Sequence, residues 1–185
     1  MTYTMNIAGL DRQLPLCKVA EDFYIGAFVM FGDQEITVAC AKELLARAPK
    51  DYDYLLTAEA KSIPLIHEMA RQSNAPTYFV ARKDMKVYLE DPLSVTVRSI
   101  TTQHEQKLYL SGSEAKKLQG KRVLLVDDVI STGESMRALE ELAKQAGATV
   151  AGRMAVLAEG EAQTRDDIVY LEKLPVFHKD GTVIE

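Results

Sequence analysis

The stretch that most constrains this chain is a short apolar run, Arg122-Val123-Leu124-Leu125-Val126, that passes directly into Asp127-Asp128-Val129-Ile130-Ser131-Thr132-Gly133-Glu134-Ser135. Uninterrupted apolar residues over so few positions predict a strand covered on both faces. Downstream, Met136, Leu139, Leu142, Ala143 and Ala146 recur at helical spacing, and Gly147 closes that helix. Val150 to Leu157 then resumes as a strand. Strand, loop, helix, strand is the signature of an α/β fold: a mostly parallel central sheet, helices on both faces, right-handed crossovers. Ligands in such sheets sit at the carboxyl ends of strands, which is where 127–135 falls.

The rest of the chain supports that reading. Residues 35–48 carry Val38, Ala41, Leu44, Leu45 and Ala48 on one stripe, stopped by Pro49. Tyr54-Leu55-Leu56-Thr57 and Thr77-Tyr78-Phe79-Val80 read as strands. Between them Ser62 is placed to cap a helix that tolerates Pro64 in its first turn. Residues 94–100 and 106–110 alternate apolar and polar side chains, as half-exposed strands do. At 185 residues one domain is expected, and 47% hydrophobic with 26% charged residues excludes disorder, collagen and coiled coil. The net charge of −5 argues against a DNA or anionic-membrane partner. Cys17 and Cys40 lack paired spacing, which fits a reducing compartment. His67, His104 and His178 are too scattered for zinc. The opening MTYTMNIAGLDRQ has no basic start followed by an apolar run, and no apolar stretch approaches membrane-spanning length. A soluble, cytoplasmic protein is expected.

The loop suggests its own ligand. Thr132, Gly133, Glu134 and Ser135 open the helix, where backbone N–H groups lack partners. Gly133 allows close approach, and Ser131, Thr132 and Ser135 add hydroxyls. Together they form a nest for a phosphate monoester. No GxxxxGK[ST] is present, so a nucleoside-triphosphate loop is excluded. Asp127 and Asp128 would repel that phosphate unless they hold something else, and vicinal sugar hydroxyls are suitable donors to them. A 5-phosphorylated ribose satisfies both halves. A capped helix beside two solvated acids remains the plain alternative.

The segment Val123 to Ser135 resembles the phosphoribosyl-pyrophosphate (PRPP) motif of the type I phosphoribosyltransferases: four apolar residues, two acids, two apolar residues and a Thr-Gly loop. The resemblance covers roughly 20–175. It implies that Asp127 and Asp128 are the catalytic acids and that Ser131, Thr132, Gly133, Glu134 and Ser135 bind the 5-phosphate. Thr57-Ala58-Glu59-Ala60-Lys61-Ser62-Ile63-Pro64 resembles the purine enzymes' pyrophosphate loop, in which an often cis peptide turns backbone donors toward the leaving group. Glu59, Ala60 and Lys61 are its candidate residues. Arg82, Lys83 and Lys86 begin an irregular stretch, 82–105, that resembles the flexible loop closing over PRPP.

What the resemblance implies is a single domain over 1–185: a small hood for base recognition at 1–50, a core at 51–175 and the flexible loop. It also implies Mg²⁺, held mainly by PRPP and not by dedicated side chains, and a homodimer. Within the hood, Phe28 and Phe31 are candidates to stack on a purine and Asp33 to accept a base N–H. The implied activity is purine phosphoribosyl transfer in salvage, with adenine as the expected base. Ala81-Arg82-Lys83 and Ser99-Ile100-Thr101-Thr102-Gln103 resemble xanthine enzymes instead, and Thr101 and Thr102 stand near the place where adenine enzymes carry a glutamate. Xanthine is therefore the alternative base. A PRPP-sensing regulator is the alternative class, although such proteins generally carry a nucleic-acid module for which this chain has no room.

Overall fold

A computed structural model describes residues 1–97 and 106–184. The chain opens with a hairpin in which β1 (Thr2–Ile7) pairs antiparallel with β2 (Leu10–Ala20). Ala8 and Gly9 make the turn, both at positive φ (51° and 84°), the backbone a two-residue hairpin needs to match strand twist. Then come β3 (Phe23–Gly26), α1 (Gln34–Arg47), β4 (Tyr54–Ala58), α2 (Ile63–Gln72) and β5 (Phe79–Ala81). A ribbon of β6 (Leu93–Val97) and β7 (Gln106–Leu110) follows, then α3 (Gly112–Leu118), β8 (Arg122–Ile130) and α4 (Glu134–Gln145). The chain ends with β9 (Thr149–Glu159), a 3₁₀ turn over Gly160–Thr164, β10 (Val169–Leu174), β11 (Val176–Phe177) and β12 (Val183–Ile184).

The central sheet has the order β10-β9-β8-β4-β5, with every neighbouring pair parallel. Its middle strand β8 explains the fully apolar run. Val123 and Leu125 face one core with Leu118 of α3 and with Met136, Leu139 and Leu142 of α4. Leu124 and Val126 face the other, with Ile36, Cys40, Ala41 and Leu44 of α1 and with Leu65, Ile66 and Met69 of α2. These side chains are all but inaccessible, and each Val, Leu, Ile or Met among them contributes roughly 2 kcal/mol by burial. On α1 the stripe is shifted from the one the sequence suggests: Ile36 and Cys40 turn inward, whereas Val38 is exposed.

A second sheet, ordered β1-β2-β3-β11-β12, is antiparallel and takes strands from both ends of the chain. Phe177 of β11 is fully buried against Tyr3, ring centroids 4.8 Å apart. The 1–50 segment thus divides: β1 to β3 join the C-terminal strands, while α1 packs on the central sheet. The 82–105 stretch is not irregular throughout, because β6 lies within it. The cause is the alternation of Leu93 and Val95, which pack against the core beside α4. Arg82 bridges to Tyr109 and ties the ribbon to β5. Thr101 and Thr102 lie outside the described residues. No helix among those described is long and apolar enough to cross a membrane.

Candidate active site

In the central sheet the chain runs outward from β4 to β5 on one side and from β8 through β9 to β10 on the other. The connections reverse direction between β4 and β8, so the loops leaving these two strands open a crevice at their carboxyl ends. The loops are 59–62 and 131–133, two of the segments singled out in the sequence.

The two acids are more deeply set than a strand-end position suggests. β8 continues through them to Ile130, and Asp127 and Asp128 are both buried, at 9% and 5% exposure. Asp127 Oδ1 accepts from the backbone N–H of Asp128 (2.9 Å) and from the Ser62 hydroxyl (3.3 Å). Ser62 occupies the N-cap position of α2 but does not cap it. Its hydroxyl turns inward to Thr57 Oγ1 (2.7 Å), the carbonyl of Ala58 and Asp127, because the helix start lies directly beside β8. Burial first, then the neighbouring Asp128 charge, pushes the Asp127 carboxyl up to about 8. Lys61 Nζ stands 2.9 Å from Asp128 Oδ2 but off the hydrogen-bonding direction, so this buried oxygen is ion-paired without being hydrogen-bonded.

The loop after the acids ends at Gly133, the N-cap of α4, in the left-handed region at φ 79°. No side chain caps this helix well. Thr132 Oγ1 takes only a long contact, 3.5 Å, from the Glu134 N–H, and the Ser135 and Met136 N–H groups find no acceptor among the described residues. Glu134 turns its carboxylate outward to Arg137 (2.8 Å). Ser131, Thr132 and Ser135 are exposed. Free backbone donors, hydroxyls and a glycine thus coincide at the positive end of a helix.

Across the crevice the Glu59–Ala60 peptide is cis. Glu59 accepts from the Lys83 N–H (2.9 Å), and Arg82 Nε lies 3.9 Å from its carboxylate, so the loop after β4 is laced to the segment after β5. Lys61, Arg82 and Lys83 are therefore brought to one region. Lys86 pairs locally with Asp84 (3.6 Å) and has no tie to that loop among the described residues.

Two base-binding candidates have structural roles in the fold. Phe28, at 4% exposure, belongs to the core and leaves no free ring face for a base. Asp33 caps α1 by accepting from Ile36 N–H (3.1 Å), and both its oxygens meet Arg12 (2.7 and 3.1 Å), which holds its carboxyl below the ordinary range. Helix start and ion pair engage both its oxygens, so a base would have to compete with Arg12 for them. Phe31 is exposed and remains available.

Residues 34–181 match the family model described as the phosphoribosyl transferase domain. The chain belongs to this family. It is 34% identical over 154 residues to a hypoxanthine/guanine phosphoribosyltransferase of Methanotorris igneus, covering 77% of this chain and 79% of that protein. A protein of the same name from Methanocaldococcus jannaschii is 29% identical, covering 82% and 81%. Among solved structures, the adenine phosphoribosyltransferase of Thermoanaerobacter pseudethanolicus matches the fold with TM-score 0.63 at 23% identity, covering 76% of this chain and 82% of that one. The Giardia lamblia enzyme complexed with 9-deazaadenine matches with TM-score 0.61 at 15% identity, covering 94% and 93%.

Within this phosphoribosyl transferase domain, one further carboxylate escaped the sequence reading. Glu159 ends β9, the strand beside β8, and burial raises its pKa against the opposing pull of Lys61. Lys61, ion-paired with Asp128, is thus also close enough for Glu159 to feel its charge. The signal was the abrupt end of the apolar run 154–158 in an acid, the same pattern that marks Asp127 on β8.

Proposed function

We propose that this chain transfers ribose 5-phosphate from PRPP to a ring nitrogen of a purine and releases pyrophosphate. The observation that carries the reading is the continuity of the buried pair Asp127-Asp128 with an uncapped helix N-terminus, at the point where the strand order reverses. The 5-phosphate accepts from backbone N–H groups and hydroxyls over 131–135. The ribose hydroxyls donate to Asp127 and Asp128, which also set negative charge beside C1 as it becomes cationic. Either acid can take the proton leaving the base, directly or through water. Lys61, Arg82 and Lys83 face the departing pyrophosphate, and the segment after β5 closes over it and excludes water.

Mg²⁺ fits as a companion of PRPP. The described residues contain no group of three metal-ligating side chains, and Mg²⁺ suits a site where the substrate and water supply most ligands. Asp128, whose buried Oδ2 makes no hydrogen bond and meets only the Lys61 ammonium, would be the carboxylate offered to the ion in exchange for that lysine. When bound, the ion acts as a Lewis acid on the pyrophosphate.

For the base we read a 6-oxopurine, hypoxanthine or guanine, because the relatives at 29–34% identity carry that name. Adenine is the second reading. It rests on the Thr-Gly loop pattern of the sequence, together with fold neighbours at 15–23% identity. Phe31, beside the crevice-facing end of α1, is the remaining hood candidate. A homodimer is part of the proposal, and the exposed apolar side chains of Met85, Val87 and Tyr88 offer a surface for it. The experiment is direct: purified protein with PRPP, Mg²⁺ and, separately, hypoxanthine, guanine, adenine or xanthine, followed by chromatography of nucleotide and pyrophosphate. Product from a 6-oxopurine at least tenfold faster than from adenine supports the lead reading, and the reverse ratio restores adenine. PRPP binding without any product would make the chain a regulator.

A further inference from the structure

The phosphate loop has a lid of its own that the sequence motif does not contain. The segment 131–135 includes no basic residue, and its one charged side chain, Glu134, is an acid. A phosphate dianion there needs more than backbone dipoles to offset Asp128 and Glu134 nearby. Thirty residues on, just past the 3₁₀ turn that follows β9, Arg165 reaches back over this loop. A Cβ placed on Gly133 would stand only 2.5 Å from Arg165 Nη1, so the guanidinium occupies the space that any other residue's side chain would fill. Gly133 is therefore glycine for two reasons, its positive φ and the arginine lying against it.

The guanidinium is held in place. Arg165 Nε and Nη2 donate to the two oxygens of Asp167 (2.8 and 2.7 Å), a bidentate grip. Asp167 also lies 3.9 Å from Arg153, which pairs with Glu140 on α4 (2.6 Å), and Glu140 pairs in turn with Lys144 (2.9 Å). This line of charges runs from the last turn of α4 back to its N-terminus. It uses two of the three guanidinium nitrogens of Arg165. Nη1, the nitrogen at Gly133, has no hydrogen-bond acceptor among the described residues. Arg165 is half-buried, with 28% of its side chain exposed, so its fork is packed in place while Nη1 stays open to a ligand.

We infer that Arg165 is a further substrate-binding residue, whose Nη1 donates to the 5-phosphate held by the loop, and that Asp167 is the positioning residue that aims it. This rests on the phosphate reading of 131–135 given above. Arginine suits the task because its planar fork can grip a carboxylate with one edge and offer the remaining N–H groups to an oxyanion. Lysine would carry the charge without the aim.

Calorimetry with ribose 5-phosphate, ribose and pyrophosphate as separate probes tests this on the full chain. Arg165→Gln should weaken ribose 5-phosphate by about tenfold or more, as expected for one charge-assisted bond to phosphate, and leave pyrophosphate unchanged. Arg165→Lys should recover part of the loss. Asp167→Asn, which keeps the cation but releases it, should show a smaller loss of the same selectivity. Equal affinity of parent and Arg165→Gln for ribose 5-phosphate would overturn the inference, as would a loss shared equally by pyrophosphate, which marks a general electrostatic or folding effect. Should Arg165→Gln not fold, Arg165→Lys and Asp167→Asn decide by the same comparison. If the parent binds ribose 5-phosphate no better than ribose, the phosphate reading of the loop itself has failed, a result distinct from the failure of Arg165 alone.

Discussion

The carboxyl end of β8 and the antiparallel sheet built from both chain ends are opposite kinds of construction. In the first, acids, loop glycine and helix start are neighbours in sequence, and one strand–loop–helix unit assembles most of the site. In the second, β3 pairs with β11 across about 150 residues, and the sheet exists only when the termini meet. Local construction gives a rigid site whose chemistry is fixed by a few adjacent residues. Long-range construction gives a surface that can vary without disturbing that chemistry. On this account the first region handles ribose and phosphate, and the second carries the hood that selects the base.

Substitutions that hit one region and spare the other test this division. The largest effect is expected from Asp127→Asn with Asp128→Asn, which removes both hydroxyl acceptors and the charge beside the reacting carbon. Turnover should fall on the order of 10³-fold, read as pyrophosphate release, with far less change in the affinity for free base. Next, Gly133→Val forces a β-branched residue to φ 79° and against Arg165. A stability loss of roughly 1–3 kcal/mol is expected by denaturant titration, together with a raised KM for PRPP and an unaltered KM for the base. In the other region, Phe177→Ala should cost about 3–5 kcal/mol because the ring is fully buried against Tyr3. Its kinetic signature should be the mirror image, with the KM for base moving and that for PRPP steady. A further effect concerns pH and is read in stability alone. The Asp127 carboxyl is raised in the fold to about 8, above its unfolded value of ~3.9. The native state therefore binds more protons than the unfolded state between these values. Stability should decline as pH rises from ~4 to ~8, and Asp127→Asn should flatten that decline in melting experiments.

How much of this was legible in the sequence follows the same division. The strand Arg122 to Val126, the acids and the glycine loop could be read directly, because apolar period, helix start and charge all lie within fifteen residues. The hairpin at Ala8-Gly9 was readable in principle from the inward positions of Met5, Ile7 and Leu14, but alternation is weak in strands with one exposed face. The pairing of β11 with β3 leaves no local trace at all. Phe28 and Asp33 show the limit for site residues. An aromatic and an acid near a glycine suit a base pocket and suit a core and a helix cap equally well, and only the position of Arg12 across the fold decides between them. Arg165 lies beyond the motif for the same reason, since nothing in its sequence surroundings connects it with Gly133.

The most direct measurement is a two-substrate kinetic comparison of Gly133→Val and Phe31→Ala against the parent chain, with KM for PRPP and KM for the purine determined in each. Crossed effects are expected: Gly133→Val raises the KM for PRPP alone, and Phe31→Ala, at an exposed ring, raises the KM for the purine alone. Both constants moving together in both variants would contradict the division of the site on which the account rests.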